Sequence, residues 1–113
     1  MEIKDESLIN LINKKITGFK LLGIGSSLRK NSSSNRILRM VLEKSQRYAA
    51  DTKLIELREI NLPVFNPNKP RETSHDVKKL NNQMINADAF ILATPDYHGS
   101  MSGGMKNFLD YYW

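Results

Sequence analysis

Apolar residues along this chain fall into two kinds of run. Residues 19–25 (Phe19-Lys20-Leu21-Leu22-Gly23-Ile24-Gly25), 52–57 (Thr52-Lys53-Leu54-Ile55-Glu56-Leu57) and 87–94 (Ala87-Asp88-Ala89-Phe90-Ile91-Leu92-Ala93-Thr94) are short, and two of them are nearly continuous. Short apolar runs bounded by turn residues predict strands buried in a parallel sheet. Between them the spacing becomes helical. Residues 35–50 present Leu38, Val41, Leu42 and Tyr48 as an inner face, and residues 73–86 predict a second helix with Ser74 or Thr73 as N-cap. Residues 102–113 predict a third helix, and residues 7–15 a short amphipathic one carrying Leu8, Leu11 and Ile12. Residues 61–71 hold Pro63, Pro67 and Pro70 and must be a loop.

Strand, helix, strand, helix, strand implies parallel pairing through right-handed crossovers. In an open α/β sheet the ligand binds beyond the carboxyl ends of the strands, so the loops after the first and third strands are the ones to read. After the first comes Gly25-Ser26-Ser27-Leu28-Arg29-Lys30-Asn31-Ser32-Ser33-Ser34-Asn35-Arg36. A phosphate needs several converging donors. The hydroxyls of Ser27, Ser33 and Ser34, the Asn35 amide and the N–H groups of the following helix start can supply them, and Arg29 adds a charged fork. The competing reading is a plain helix start, with Ser34 as cap and the other serines solvated. After the third strand comes Thr94-Pro95-Asp96-Tyr97-His98-Gly99-Ser100. Tyr97 offers a flat face, Pro95 stiffens the backbone, Gly99 permits close approach, and N–H groups near Asp96 to His98 can bond the polar edge of a ring. The chain has neither G-x-x-x-x-G-K-[ST] nor G-x-G-x-x-G.

These motifs resemble the NAD(P)H-dependent FMN reductases, a flavodoxin-like family that includes quinone, azo-dye and chromate reductases. The resemblance rests on Ser27-Leu28-Arg29, Ser33-Ser34-Asn35, Pro95-Asp96-Tyr97-His98-Gly99-Ser100 and Gly103-Gly104-Met105-Lys106-Asn107-Phe108-Leu109-Asp110, and runs from about residue 20 to the last. The chain departs from the pattern at Ser26, where the family has glycine, in a serine loop one residue longer, and at Asp96, where glutamate is commoner. The resemblance implies a three-layer α/β/α domain with strand order 2-1-3, lacking the usual fourth and fifth strands. Residues 1–18 then form an added N-terminal helix and connector, and residues 19–113 the FMN-binding domain. It implies FMN as cofactor, bound by Ser27, Arg29, Ser33, Ser34, Asn35, Pro95, Asp96, Tyr97, His98 and Gly99. NAD(P)H is the implied co-substrate, and a quinone, free flavin or similar small molecule the acceptor. No protein nucleophile is required, because flavin N5 carries the hydride. His98 is read as a hydrogen-bonding residue, His75 as an exposed residue at a helix start, and Lys106, Asn107 and Asp110 as fixing a helix or a subunit contact. Family dimers build each site from both subunits, and the third strand would be an open edge, so a homo-oligomer is expected. Three accounts of the short chain stand side by side: a fragment of a full reductase, a minimal version completed by dimerisation, or a chain that has lost flavin and kept a structural or interaction role. The alternative to an oxidoreductase is a flavin-binding or structural protein without turnover.

Composition narrows the classes. The 113 residues suit one small domain, and the absence of cysteine removes disulfides and thiolate metal sites. No metal site is expected from His75 and His98 alone. No apolar run reaches the length of about 20 residues that spans a membrane, and the N-terminus lacks a signal peptide's pattern, so a cytoplasmic location is expected. The net charge is +5. Residues 19–50 carry seven basic side chains against Glu43 alone, while the rest of the chain is nearly balanced. Without a nucleic-acid motif or interleaved aromatics, this excess reads as a solvated helix face, with Arg36, Arg39, Lys44 and Arg47 outward, whose field favours an anionic ligand.

Overall fold

The strand-forming runs pair as their patterns require. In the computed structural model, which describes Glu6, Leu8 and residues 18–48, 50–71 and 74–113, β1 (Lys20–Gly25) lies between β2 (Asp51–Glu56) and β3 (Ala89–Ala93). Both pairings are parallel, with Gly25 level with Glu56 on one side and with Ala93 on the other. The order 2-1-3 is the flavodoxin-like arrangement expected. The first helix, α1, spans Ser33–Gln46, the second, α2, His75–Asn86, and the third, α3, Gly103–Tyr112. The helix expected over residues 7–15 falls outside the described residues apart from Leu8.

Alternation along β1 assigns the two faces. Leu22 and Ile24 point to one side, where they form the core with Ile55, Leu57, Leu80 of α2, and Met105 and Phe108 of α3. Gly23 and Gly25 point to the other, against α1. A Cβ on Gly23 would lie 2.7 Å from a Leu42 methyl, and one on Gly25 2.3 Å from Oδ1 of Asn35. The absence of side chains there lets α1 sit close on the sheet.

Three expectations are corrected. Helix α1 starts at Ser33, because Ser32 is the cap: its hydroxyl accepts the Asn35 N–H at 3.2 Å, and Ser33 and Ser34 are already helical. It ends at Gln46, so Tyr48 lies beyond it and is exposed, and Val41 is 40% exposed. The inner stripe is Asn35, Leu38 and Leu42, a spacing that places Val41 off its axis. Segment 95–101 is a tight β-hairpin, with Asp96–Tyr97 (β4) paired antiparallel to Ser100–Met101 (β5). His98 and Gly99 take φ of 55° and 77°. Positive φ at both central residues is the turn whose twist matches a hairpin.

Smaller differences concern ends. Leu57 leaves the sheet to open a 3₁₀ turn, Leu57–Glu59. Strand β3 starts at Ala89, since Ala87 closes α2 and the Asp88 carboxylate accepts the Lys20 N–H at 2.8 Å. Ser74 caps α2, accepting the Val77 N–H, and His75 is exposed in its first turn. The proline-bearing loop is tied to α3. Oδ1 of Asn107 accepts the Phe65 N–H at 2.8 Å, and Nδ2 of Asn107 and the Tyr111 hydroxyl both donate to the Pro63 carbonyl. Lys106 and Asp110 form an ion pair one turn apart, so Lys106, Asn107 and Asp110 fix α3 and its neighbouring loop. Tyr112 and Trp113 extend the core's aromatic end, with Trp113 edge-on to Phe90 at 5.7 Å. No helix among the described residues is long and apolar enough to cross a membrane.

Phe108 is fully buried between the sheet and α2. Phe108→Ala is expected to remove about 3–5 kcal/mol of stability, the usual loss for a buried phenylalanine. Urea unfolding followed by circular dichroism checks this, and a loss below about 1 kcal/mol would mean that α3 is not part of the core.

Candidate functional site

Two loops meet where β1 and β3 end. Ser26, the first residue past β1, donates its N–H to the Ala93 carbonyl at 2.9 Å. Its hydroxyl lies 3.3 Å from the same carbonyl and 2.9 Å from Oγ of Ser102. Ser102 caps α3 by accepting the Met105 N–H, and its own N–H donates to Oγ1 of Thr94 at 3.0 Å. Oγ1 of Thr94 is in turn 3.3 Å from Oγ of Ser102. Ser26 and Ser102 are buried. The result is a small cluster of three hydroxyls, buried at Ser26 and Ser102 and open to solvent at Thr94, that fastens the serine loop to both ends of the hairpin segment. A Cβ on Gly104 would lie 3.2 Å from the Ser26 carbonyl, so the start of α3 packs against the same point.

The residues singled out in the serine loop divide into an inner and an outer set. Ser27 and Asn35 are inside, each about 1% exposed. The Ser27 hydroxyl accepts the Arg29 N–H at 3.3 Å, which closes the loop on itself. Nδ2 of Asn35 donates to Oε1 of Glu56 at 3.3 Å and to the Ser27 carbonyl at 3.5 Å. Arg29 and Ser33 are exposed and Ser34 half-buried. A helix leaves its first N–H groups without carbonyl partners in the helix. Those of Ser33 and Ser34 are in this position, whereas the Asn35 N–H is taken by Ser32. Asn31 has φ of 59°, the left-handed conformation that asparagine tolerates best among residues with side chains. It turns the chain from Arg29 and Lys30 back into the helix. The free ends of the loop are thus N–H groups, hydroxyls and cations.

The hairpin presents a different chemistry. Asp96, Tyr97, His98 and Gly99 are exposed, Tyr97 by 54%, and Pro95 is half-buried. Asp96 holds the turn, Oδ1 accepting the Gly99 N–H at 2.8 Å. Tyr97 and Met101 of the hairpin and Leu28 of the serine loop are exposed apolar side chains. A site with cations and N–H groups on one loop and an aromatic on the other is suited to a flat ligand with an anionic tail.

The match to the family model for NADPH-dependent FMN reductases covers residues 19–112. The chain belongs to that family. Among curated proteins, an NADPH azoreductase of Bacillus sp. (strain OY1-2) is 40% identical over 68 residues, which are 58% of this chain and 38% of the relative. An FMN-dependent NADPH-azoreductase of Staphylococcus aureus is 34% identical over 95 residues, 80% of this chain and 50% of the relative. The chain therefore spans at most about half the length of these curated relatives. In this chain Ser26 stands where the resemblance expects glycine, and its hydroxyl is what reaches Ser102. Ser102, Thr94 and Glu56 were not legible as site residues. Their signals are local: a serine directly before the Gly103-Gly104 helix start, and a carboxylate interrupting the run Leu54-Ile55-Glu56-Leu57.

The hydroxyl cluster gives an ordered expectation. Ser26→Ala removes one buried hydrogen-bonding partner and should lower stability by about 0.5–1.5 kcal/mol. Ser102→Ala also loses the α3 cap and should cost more, about 1–3 kcal/mol. Denaturant unfolding of the two variants tests the order, and a reversal would show that Ser26 carries the junction.

Proposed function

We propose that this domain binds FMN between its two loops and belongs to an NAD(P)H-dependent oxidoreductase that passes the hydride to a small, flat, conjugated acceptor. The observation that supports this most is the junction at Ser26, which sets a cationic helix start and an exposed aromatic hairpin side by side in a chain of this family. The donor set fits the cofactor. The Ser33 and Ser34 N–H groups and hydroxyls with the Arg29 guanidinium would hold the phosphate. Ser27 and Asn35, turned inward, give that loop its shape. Tyr97 and Gly99 would hold the ring, with Pro95, Asp96 and His98 fixing the hairpin and its polar edge.

When bound, FMN supplies the group that accepts a hydride from NAD(P)H and gives it up to the acceptor. The protein's share is to bind and orient. Arg29 would neutralise phosphate charge, Tyr97 would lie against the ring and shield it from water, and the turn at His98 and Gly99, held by Asp96, would fix the hairpin that carries Tyr97. The azoreductase names of the relatives, together with the family likeness, favour an azo compound, a quinone or a free flavin as acceptor. The working form is a homo-oligomer in the cytoplasm. A flavin-binding protein without turnover is the alternative. Purified protein that is yellow and bleaches on adding NADPH under anaerobic conditions supports turnover, and yellow protein that does not bleach supports the alternative.

Two substitutions test the assignment. Arg29→Ala is expected to weaken FMN binding by about 1.5–3 kcal/mol, the scale of a charge-assisted hydrogen bond, and to weaken riboflavin, which has no phosphate, much less. Equal losses in fluorescence titrations would remove Arg29 from the phosphate. Tyr97→Ala should raise the FMN dissociation constant and change the bound flavin's emission, while Tyr97→Phe keeps the aromatic face and should be mild. Unchanged affinity and emission in Tyr97→Ala would move Tyr97 off the site.

A further inference from the structure

Glu56 is an ionisable residue buried beside the serine loop, to which the binding scheme above gives no part. It ends β2, level with Gly25 across the sheet, and is 6% exposed. Burying a carboxylate is costly unless it is paired and hydrogen-bonded. Here both oxygens are engaged. Oε1 accepts from the Arg39 guanidinium and from Nδ2 of Asn35, the latter at 3.3 Å, and Oε2 lies 3.3 Å from Nη2 of Arg58. Three side chains therefore hold the carboxylate in place. Its contacts lead toward the loop.

The route runs through Asn35. This amide is about 1% exposed, and only one of its two orientations suits the surroundings. Nδ2 faces the Glu56 carboxylate and the Ser27 carbonyl, both acceptors. Turned over, Oδ1 would face two acceptors. In the observed orientation Oδ1 lies against Gly25 and has no hydrogen-bond partner. A buried acceptor without a donor carries a penalty of about 1–3 kcal/mol. The amide keeps this orientation because the charged contact on its other end outweighs that penalty. The same Nδ2 also reaches the Ser27 carbonyl, and the Ser27 hydroxyl in turn holds the Arg29 N–H. A chain of contacts thus runs from Glu56 through Asn35 and Ser27 to the backbone of Arg29.

We propose that Glu56 is a positioning residue: its carboxylate orients Asn35, and through it fixes the shape of the serine loop that meets the anionic end of the cofactor. Arg39 and Arg58 pair with that carboxylate in its buried place, which takes Arg39 out of the cations available to a ligand. The consequence for affinity rests on the FMN reading given above, whereas the consequence for loop order does not.

The experiment compares the unsubstituted chain with Glu56→Gln, Asn35→Ala and the double variant. Two quantities are read: hydrogen exchange of the amides of residues 27–32, and dissociation constants for FMN and riboflavin by fluorescence titration. Glu56→Gln should speed exchange at 27–32 while leaving β1 and β3 protected. It should raise the FMN dissociation constant about 5–10-fold and that of riboflavin less than about twofold. Asn35→Ala leaves both arginine pairs intact and should reproduce this pattern even if Glu56→Gln proves too unstable to study. In the Asn35→Ala background Glu56→Gln should add less than about twofold, because its route is already cut. Unchanged loop exchange in either single variant overturns the proposal. So does an equal loss for both flavins, or a full additional effect in the double variant. If the unsubstituted chain binds neither flavin, the cofactor reading fails, and loop exchange alone decides the role of Glu56.

Discussion

The carboxyl end of the sheet depends on how little room surrounds Gly25 and Ser26. A single β-carbon at Gly25 would collide with the Asn35 amide, so α1 can lie this close only because nothing projects from β1 there. One residue on, Ser26 is fully buried, and its N–H and hydroxyl meet Ala93 and Ser102. The first contact brings the start of α1 and its loose N–H groups to the carboxyl end of the central strand. The second brings the hairpin and the start of α3 to the same place. The site follows from these two contacts in sequence. Remove the close approach and the helix start moves outward; remove the hydroxyl cluster and the hairpin loses its reference point.

Much of this was legible in the sequence, and the limits have physical causes. Short apolar runs identified the three strands of the main sheet, and helical spacing α1, α2 and α3. The burial expected of all three strands is deep only along β1, whereas β2 is buried only at its end and β3 is half-buried to exposed. The strand order came from the resemblance, which the topology matches. The ends were less certain. Three serines in a row can each cap a helix, and only the backbone geometry shows that Ser32 does. The hairpin was read as a loop, since two-residue strands are too short to leave an alternating pattern and His98 is an unusual residue at positive φ. Glu56 was missed for a deeper reason. A carboxylate inside an apolar run says that something must neutralise it, but its partners Arg39 and Asn35 lie 17 and 21 residues away. Sequence spacing does not pair them; the β1–α1–β2 crossover does.

The charge pattern acquires a sharper meaning in three dimensions. The basic excess of residues 19–50 reads as a uniform solvated face in one dimension. In the fold Arg39 turns to the buried carboxylate, whereas Arg29, Lys30 and Arg36 are exposed around the helix start. Basic residues of the loop and helix thus serve two purposes. Arg39 compensates an interior charge, and Arg29, Lys30 and Arg36 add their field to that of the helix terminus, where both favour an anion.

The tether between α3 and the proline-bearing loop bears on the order of assembly. Its hydrogen bonds join residues 42, 44 and 48 positions apart. Contacts over such separations repay their chain-closure entropy only once the intervening elements are in place. Asn61 of the segment between β2 and α2 is held by Asp76 of α2, but the stretch at Pro63 and Phe65 gains these bonds only once the chain has been made through Tyr111 and α3 has docked. A loop before α2 thus waits for α3, and Asn107 and Tyr111 act as the clasp between them.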